Sequence, residues 1–195
     1  LVIAGYMSST ESGGEDLVAA VLYVLPHGRN DDNRPQHQQD PLAYALGVDE
    51  FHIYELSLDD DDDIAFGDRI DLTAFGRLTE VEFEELPRGA RQELEYAVEA
   101  VVEADEQRFV DFYNDAQPIT LRLHQLNLLP GIGKKLRNTI LDERKRQPFE
   151  SFDDIEERIS GLHDPKEVLV DRIQEELRDD DLKYRIFVRR SEQNE

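Results

Sequence analysis

Two glycines flank a single apolar residue in Leu129-Pro130-Gly131-Ile132-Gly133-Lys134-Lys135, and two lysines follow. Gly131 and Gly133 lack Cβ atoms, which permits a tight turn and lets a phosphate come close to the backbone. The turn feeds a helix N-terminus near residues 133–135. Free N–H groups point outward there and the helix dipole favours an anion. The N–H groups of Gly131, Gly133 and Lys135 are therefore the expected phosphate donors, with Lys134, Lys135 and Arg137 adding charge beside them. Ile132 is expected to turn inward as an anchor against Leu126, Leu129 and Leu136. From Lys134 to Arg146 there are six basic residues and two acidic ones, a local excess of four positive charges in a chain of net charge -23. A lone Gly-x-Gly is weak evidence, and the plain alternative is a helix corner that uses glycine only to turn. Here it comes with Leu126-x-x-Leu129, the preceding Leu-Pro, the lysine pair, Ile140 and a Pro148-Phe149-x-Ser151-Phe152 helix entry. Together these form a phosphate-binding motif.

Other residues offer weaker chemistry. Arg29 and Arg34, with His27 and His37 nearby, lie in a polar loop after the first strand and are a second candidate nucleic-acid contact; the competing reading is a surface loop pinned by Asp31 and Asp32. Phe51 and Tyr54 could stack bases, but strand alternation puts them on opposite faces, so at least one belongs to the core. Arg122 and His124 fall on the segment entering the hairpin. Arg122 is a candidate backbone contact, and His124 is read as a half-buried side chain bonded to backbone. Asp153 and Asp154 stand about twenty residues after Gly133, where helix-hairpin-helix glycosylases place a catalytic Asp. A helix cap at Ser151 explains Asp154, and the chain has no Trp to build a base pocket. The reading is non-enzymatic. Asp59–Asp63 is expected to be a solvated loop, lacking the spaced ligands and central glycine of a calcium loop. The absence of cysteine excludes disulfides, thiolate zinc sites and Cys nucleophiles.

The elements that must position these residues follow from periodicity. Residues 1–16 are read as a disordered segment, with Met7, the single Met, as the natural start. Short strands are expected at Leu17–Leu25, Leu42–Leu46, Phe51–Leu56, Arg69–Leu72 and Arg77–Phe83, spaced by turn signals, which suits a small OB-like or SH3-like barrel over 17–86. Helical spacing then begins. A long helix runs to about Asn114 with a break near Ala104, a second spans Pro118–Leu128, and further helices end before Pro148, start at Ser151 and run from Asp164 to about Leu177. Tyr184–Val188 reads as a closing strand, and 189–195 as a tail. The fold class is α+β, with a helical region over 87–188 and its helix-hairpin-helix at 118–146; an imperfect second hairpin is visible at Gly161-Leu162. No apolar run reaches the roughly 20 residues of a membrane span, so a cytoplasmic protein without membrane partners is expected. With 45 acidic residues, 22 basic ones and few lysines among them, the surface suits a protein adapted to high salt, where dense ions screen carboxylate repulsion.

The set Phe112-Tyr113-Asn114, Pro118-Ile119-Thr120 and Arg122-Leu123-His124-Gln125-Leu126, with the glycine turn, resembles the archaeal family called domain of unknown function 655. So does Leu25-Pro26-His27-Gly28-Arg29 with Arg34-Pro35. The resemblance covers nearly all of 17–188 and points to a haloarchaeal-type member, its acidic insertions such as Asp59–Asp63 departing from less halophilic relatives. It implies an OB-like barrel followed by helix-hairpin-helix and an RNA-binding role, with the ribosome or rRNA maturation as the setting. The motif class also allows a K+ or Na+ ion at the hairpin carbonyls, and no other cofactor. Duplex DNA is the alternative ligand, because such a turn reads backbone rather than bases, and a protein-interaction module of the translation or transcription machinery is the alternative role.

Overall fold

Continuous apolar runs form the two central strands β1 (Val18–Leu25) and β2 (Leu42–Gly47), and shorter segments that mix apolar and polar residues form β3 (Ile53–Ser57), β4 (Arg69–Asp71) and β5 (Leu78–Val81). The computed structural model describes residues 17–29, 39–59 and 61–189. It arranges these strands in one antiparallel sheet of order β4-β1-β2-β3-β5. Val21 pairs with Ala45 and Tyr23 with Tyr44, so Leu22 is an extra residue in β1. This bulge bends the strand and swaps which alternate positions face which side. Ala19, Val21, Ala43, Ala45, Tyr54 and Leu56 gather with Ile70 and Leu72 on one face. Ala20, Leu22, Tyr44, Leu46 and Ile53 belong to the larger core on the other. No ladder joins β4 to β5 among the described residues. Both are short edges, and β4 is flanked by the exposed Arg69 and Asp71, a composition that discourages edge pairing.

Helical spacing of three and four brings Leu94, Ala97, Val98, Val101 and Val102 onto one side of α1 (Arg88–Ala104). That side packs on β1 and β2. The backbone breaks at Asp105 (φ -130°, ψ 51°) before α2 (Glu106–Asp115), as the sequence predicts. Three helices follow: α3 (Lys134–Arg146), α4 (Phe152–Arg158) and α5 (Pro165–Arg178). Lys166 at the start of α5 bonds Glu99 and Glu103 late in α1. Arg178 at its end lies over Phe83 ahead of α1. The two helices therefore run antiparallel, and one core continues from the sheet through α1 and α2 to α5.

Two expected elements do not form. Pro118–Leu128 is not a helix: Gln117–His124 is a hydrogen-bonded loop with a Pro118–His124 bridge, followed by one 3-10 turn at Gln125–Leu128. Thr120 Oγ1 accepts from the Arg122 and Leu123 N–H groups, a local alternative that competes with helix. Tyr184–Val188 is not a strand: its Ile186, Phe187 and Val188 N–H groups donate to the Glu176 carboxylate instead of to a neighbouring strand. The expectations for 1–16, for Arg34 and for the tail beyond 189 lie outside the described residues. No helix among the described residues is long and apolar enough to cross a membrane.

Candidate nucleic-acid interface

Pro130 brings a preset φ to the second position of a reverse turn. Gly131 takes the left-handed third position at φ 78°. Ile132 N then donates to the Leu129 carbonyl (3.2 Å) and closes the turn. Ile132 is buried with Leu126, Leu129 and Ile140, and Leu136 packs against them, as expected of an anchor. Asn127 locks the arrangement from the preceding limb. Its Nδ2 donates to the Ile132 carbonyl (3.1 Å) and its Oδ1 accepts from Arg137 Nη1 (3.0 Å). Gly133 is the extended residue before α3 (φ -81°, ψ -178°) and offers no side chain to cap it. The N–H groups of Lys134, Lys135 and Leu136 therefore have no acceptor among the described residues, and Gly131, Gly133, Lys134 and Lys135 around them are all exposed.

A second turn in the same chain supplies an internal comparison. Leu162 N donates to the Ile159 carbonyl (3.1 Å) and Gly161 sits at φ 94°, so Ile159–Leu162 repeats Leu129–Ile132. There the residue before the helix is Asp164, whose carboxylate accepts from Glu167 N (3.0 Å). His163 adds one residue between this turn and its helix, so counted from the cap the counterpart of Lys135 is Lys166, and the Glu103 and Glu99 carboxylates that bond its ammonium raise its pKa. The second turn thus fills its own helix terminus with an acid and neutralises its own lysine. The first does neither.

The basic block after Gly133 divides once its partners are known. Arg144 donates to the Tyr113 and Ala116 carbonyls (both 3.0 Å) and fastens α3 to the end of α2. Lys145 and Arg146 pair with Asp142 and Glu143. Among the described residues Arg137 binds only neutral partners, Asn127 and Asn138. Lys134, Lys135 and the exposed Arg122 pair with no carboxylate among the described residues. Sequence reading overlooked the reason for this contrast. No Asp or Glu occurs between Asp115 and Asp142, an interval of 26 residues in which the chain's average would place about six. It is the longest acid-free interval in the chain, and it contains the loop, the turn and the start of α3.

The remaining candidates are placed elsewhere. Arg29 donates to Glu55 Oε2 through Nε (3.0 Å) and Nη2. Tyr44 OH donates to the same oxygen (2.8 Å), and burial together with that carboxylate pushes its pKa up to about 12. Phe51 and Tyr54 are both buried, so neither presents a ring to a base. His124 is buried, and its Nδ1 accepts from Leu126 N (3.1 Å). Burial first, then Arg144 and Arg137, lower its pKa and keep it neutral. Asp154 takes part in the cap of α4, receiving Glu150 N (3.1 Å) and Arg158 Nη1 (3.0 Å), while Ser151 Oγ accepts from Asp154 N (3.0 Å). Among the described residues no group of three or more His, Asp or Glu side chains stands together to hold a metal ion.

The model of the family described as protein of unknown function (DUF655) matches residues 15–189. The Methanocaldococcus jannaschii protein MJ0038 is 38% identical over 178 residues, which cover 88% of this chain and 79% of that one. The crystal structure of Af1531 from Archaeoglobus fulgidus, also assigned to DUF655, superposes with a TM-score of 0.82 at 38% identity, covering 90% of this chain and all of that one. Family model, sequence and fold agree over nearly the whole described structure: the chain belongs to the DUF655 family.

Proposed function

We propose that this protein is a non-enzymatic, cytoplasmic nucleic-acid-binding protein whose helix-hairpin-helix, built from the 3-10 turn, residues 129–133 and α3, holds a backbone phosphate. The observation that carries this reading is the difference between two like turns. One is capped by Asp164 and its lysine neutralised, while the other keeps glycine at the cap and two unpaired lysines beside it. Donors fixed by a turn suit a saline cytoplasm, because they depend less on long-range charge than counterion release does. RNA, in a ribosomal or rRNA-maturation setting, is the ligand that the family resemblance implies. The sheet, buried on both faces and bent by the bulge at Leu22, is read as an open OB-like barrel; Arg29, held by Glu55, is its nearest basic contribution.

The test is binding to rRNA and to matched duplex DNA in high KCl. Gly133→Asp copies Asp164 and should strengthen α3 by only about a few tenths of a kcal/mol as an added cap, because glycine is already a fair N-cap. It should also weaken RNA binding at least about tenfold by placing a carboxylate where the phosphate would sit. Lys134→Glu/Lys135→Glu should weaken binding as well, and because glutamates suit the first turn of a helix the loss should come without destabilising α3. Equal affinity for RNA and duplex DNA would make the protein a general backbone binder, and unchanged binding in both variants would reduce the turn to a structural corner.

A further inference from the structure

The loop 117–124 has a feature for which phosphate binding has no use. Leu121 at its tip is 107% exposed, whereas the other exposed large apolar side chains among the described residues reach 65% at most. Single surface leucines are ordinary, but this one is held out by a fastened loop. Gln117 N donates to Gln125 Oε1 (2.6 Å) and Gln125 N to the Gln117 carbonyl (3.0 Å). The Ile119 and Thr120 N–H groups both donate to the Leu123 carbonyl (2.8 and 3.0 Å). Thr120 Oγ1 receives the Arg122 and Leu123 N–H groups (3.2 and 3.0 Å). Ile119 and Leu123 are partly buried at its base, so the loop does not fold Leu121 back onto them.

Charge selects the occupant. Arg122 stands beside the tip, and the acid-free interval runs unbroken from the loop to the lysines of α3. In a chain of net charge -23 this stretch is complementary to a polyanion. Leu121 and Gly131 are ten residues apart, so at no more than roughly 3.5 Å per residue, and less through the 3-10 turn, both reach one ligand within about one helical turn of duplex. A leucine has no ring to stack on a base face. It fits instead into a gap between bases, which costs least where pairing is already interrupted.

We propose that Leu121 is a wedge that enters a nucleic acid at an unstacked step, such as a bulge, an internal loop or a junction, beside the phosphate held at the glycine turn. This rests on the phosphate-binding reading. The test titrates an RNA hairpin with a one-nucleotide bulge next to 2-aminopurine, and a continuous duplex of the same length, with wild type, Leu121→Ala and Lys134→Glu/Lys135→Glu. Leu121→Ala should unfold at the wild-type temperature, because the side chain packs on nothing. It should bind the bulged RNA about tenfold more weakly, bind the continuous duplex as wild type does, and lose the 2-aminopurine response. Its tenfold deficit should persist from about 0.5 to 2 M KCl, because an apolar contact is not screened, while the deficit of the lysine variant shrinks. If Leu121→Ala matches wild type on both RNAs while the lysine variant is weakened, the wedge is wrong and the phosphate site stands. If wild type binds neither RNA, or neither variant matters, both readings fall. If sedimentation shows a wild-type dimer that Leu121→Ala dissociates, the tip belongs to a second copy and the wedge is overturned.

Discussion

His124 sits where a proton would do most damage: it is buried, and the lone pair on its Nδ1 holds Leu126 N at the entry to the glycine turn. Its folded pKa is lowered by burial and by the nearby Arg144 and Arg137. The unfolded chain therefore takes up a proton first, and stability falls as pH drops through the unfolded value of about 6.5. Melting temperature should decline between pH 7.5 and 5.5 while the Leu126 amide loses hydrogen-exchange protection, and His124→Asn, which keeps an acceptor but cannot titrate there, should flatten both. The two glycines should also separate. Gly131→Ala meets no atom within 4 Å but forces a Cβ residue to φ 78°, so it should cost about 1 kcal/mol in a urea titration. Gly133→Ala keeps an ordinary extended φ and should cost less. At this scale the sequence announced Ile132 as an anchor, because an apolar residue between two turn glycines has only the interior to fill. It did not announce the roles of Arg137 and Arg144, because a charge count carries no information about partners. Phe51 and Tyr54 do lie on opposite faces, one in each core, as alternation predicts, although Phe51 at φ 60° stands just outside β3.

Elements were legible where periodicity was long and failed where side chains took over the backbone's hydrogen bonds. The break at Asp105, the cap at Ser151 and the Asp164-Pro165 start of α5 all appear as read, since caps and prolines act within a few residues. Pro118 mimicked a helix start, but Thr120 and Gln125 closed a loop across positions that a 3.6-residue pattern cannot see. At Tyr184–Val188 the deciding residue is a glutamate ten positions upstream. Glu176 is 0% exposed and accepts Arg172 Nε (2.8 Å) and the N–H groups of Ile186, Phe187 and Val188 (2.8, 2.8 and 2.9 Å). Breaking a buried pair strands the remaining charge and donors, so Glu176→Ala should cost roughly 3–5 kcal/mol. Hydrogen exchange should register the loss first at Ile186–Val188, with the amides of β1 and β2 affected only as global stability falls. Equal loss of protection throughout the chain at constant stability would show that this carboxylate does not hold the C-terminal segment in particular.

Across the whole molecule, a chain of net charge -23 meets a polyanion with least repulsion through the residues of its longest acid-free interval. Two electrostatic ranges then compete. Repulsion from the rest of the protein acts over tens of ångströms and is screened once the Debye length falls to about 10 Å near 0.1 M salt. Attraction at Lys134, Lys135 and the α3 terminus acts at contact, and weakens through counterion release as salt rises further. RNA affinity should therefore pass through a maximum, rising from about 0.01 M KCl and declining towards 1 M and beyond, where an ordinary basic RNA binder would only decline. Polarisation titrations across that range decide it. In Lys134→Glu/Lys135→Glu the rising limb should remain and the falling limb should flatten, because only the contact charges have been removed. A steady fall from the lowest salt in wild type would mean that the acidic surface exerts no long-range repulsion on the ligand. The same screening should raise the melting temperature with KCl, by relieving repulsion among the 45 carboxylates, and a neutral osmolyte should not reproduce the salt dependence of either property.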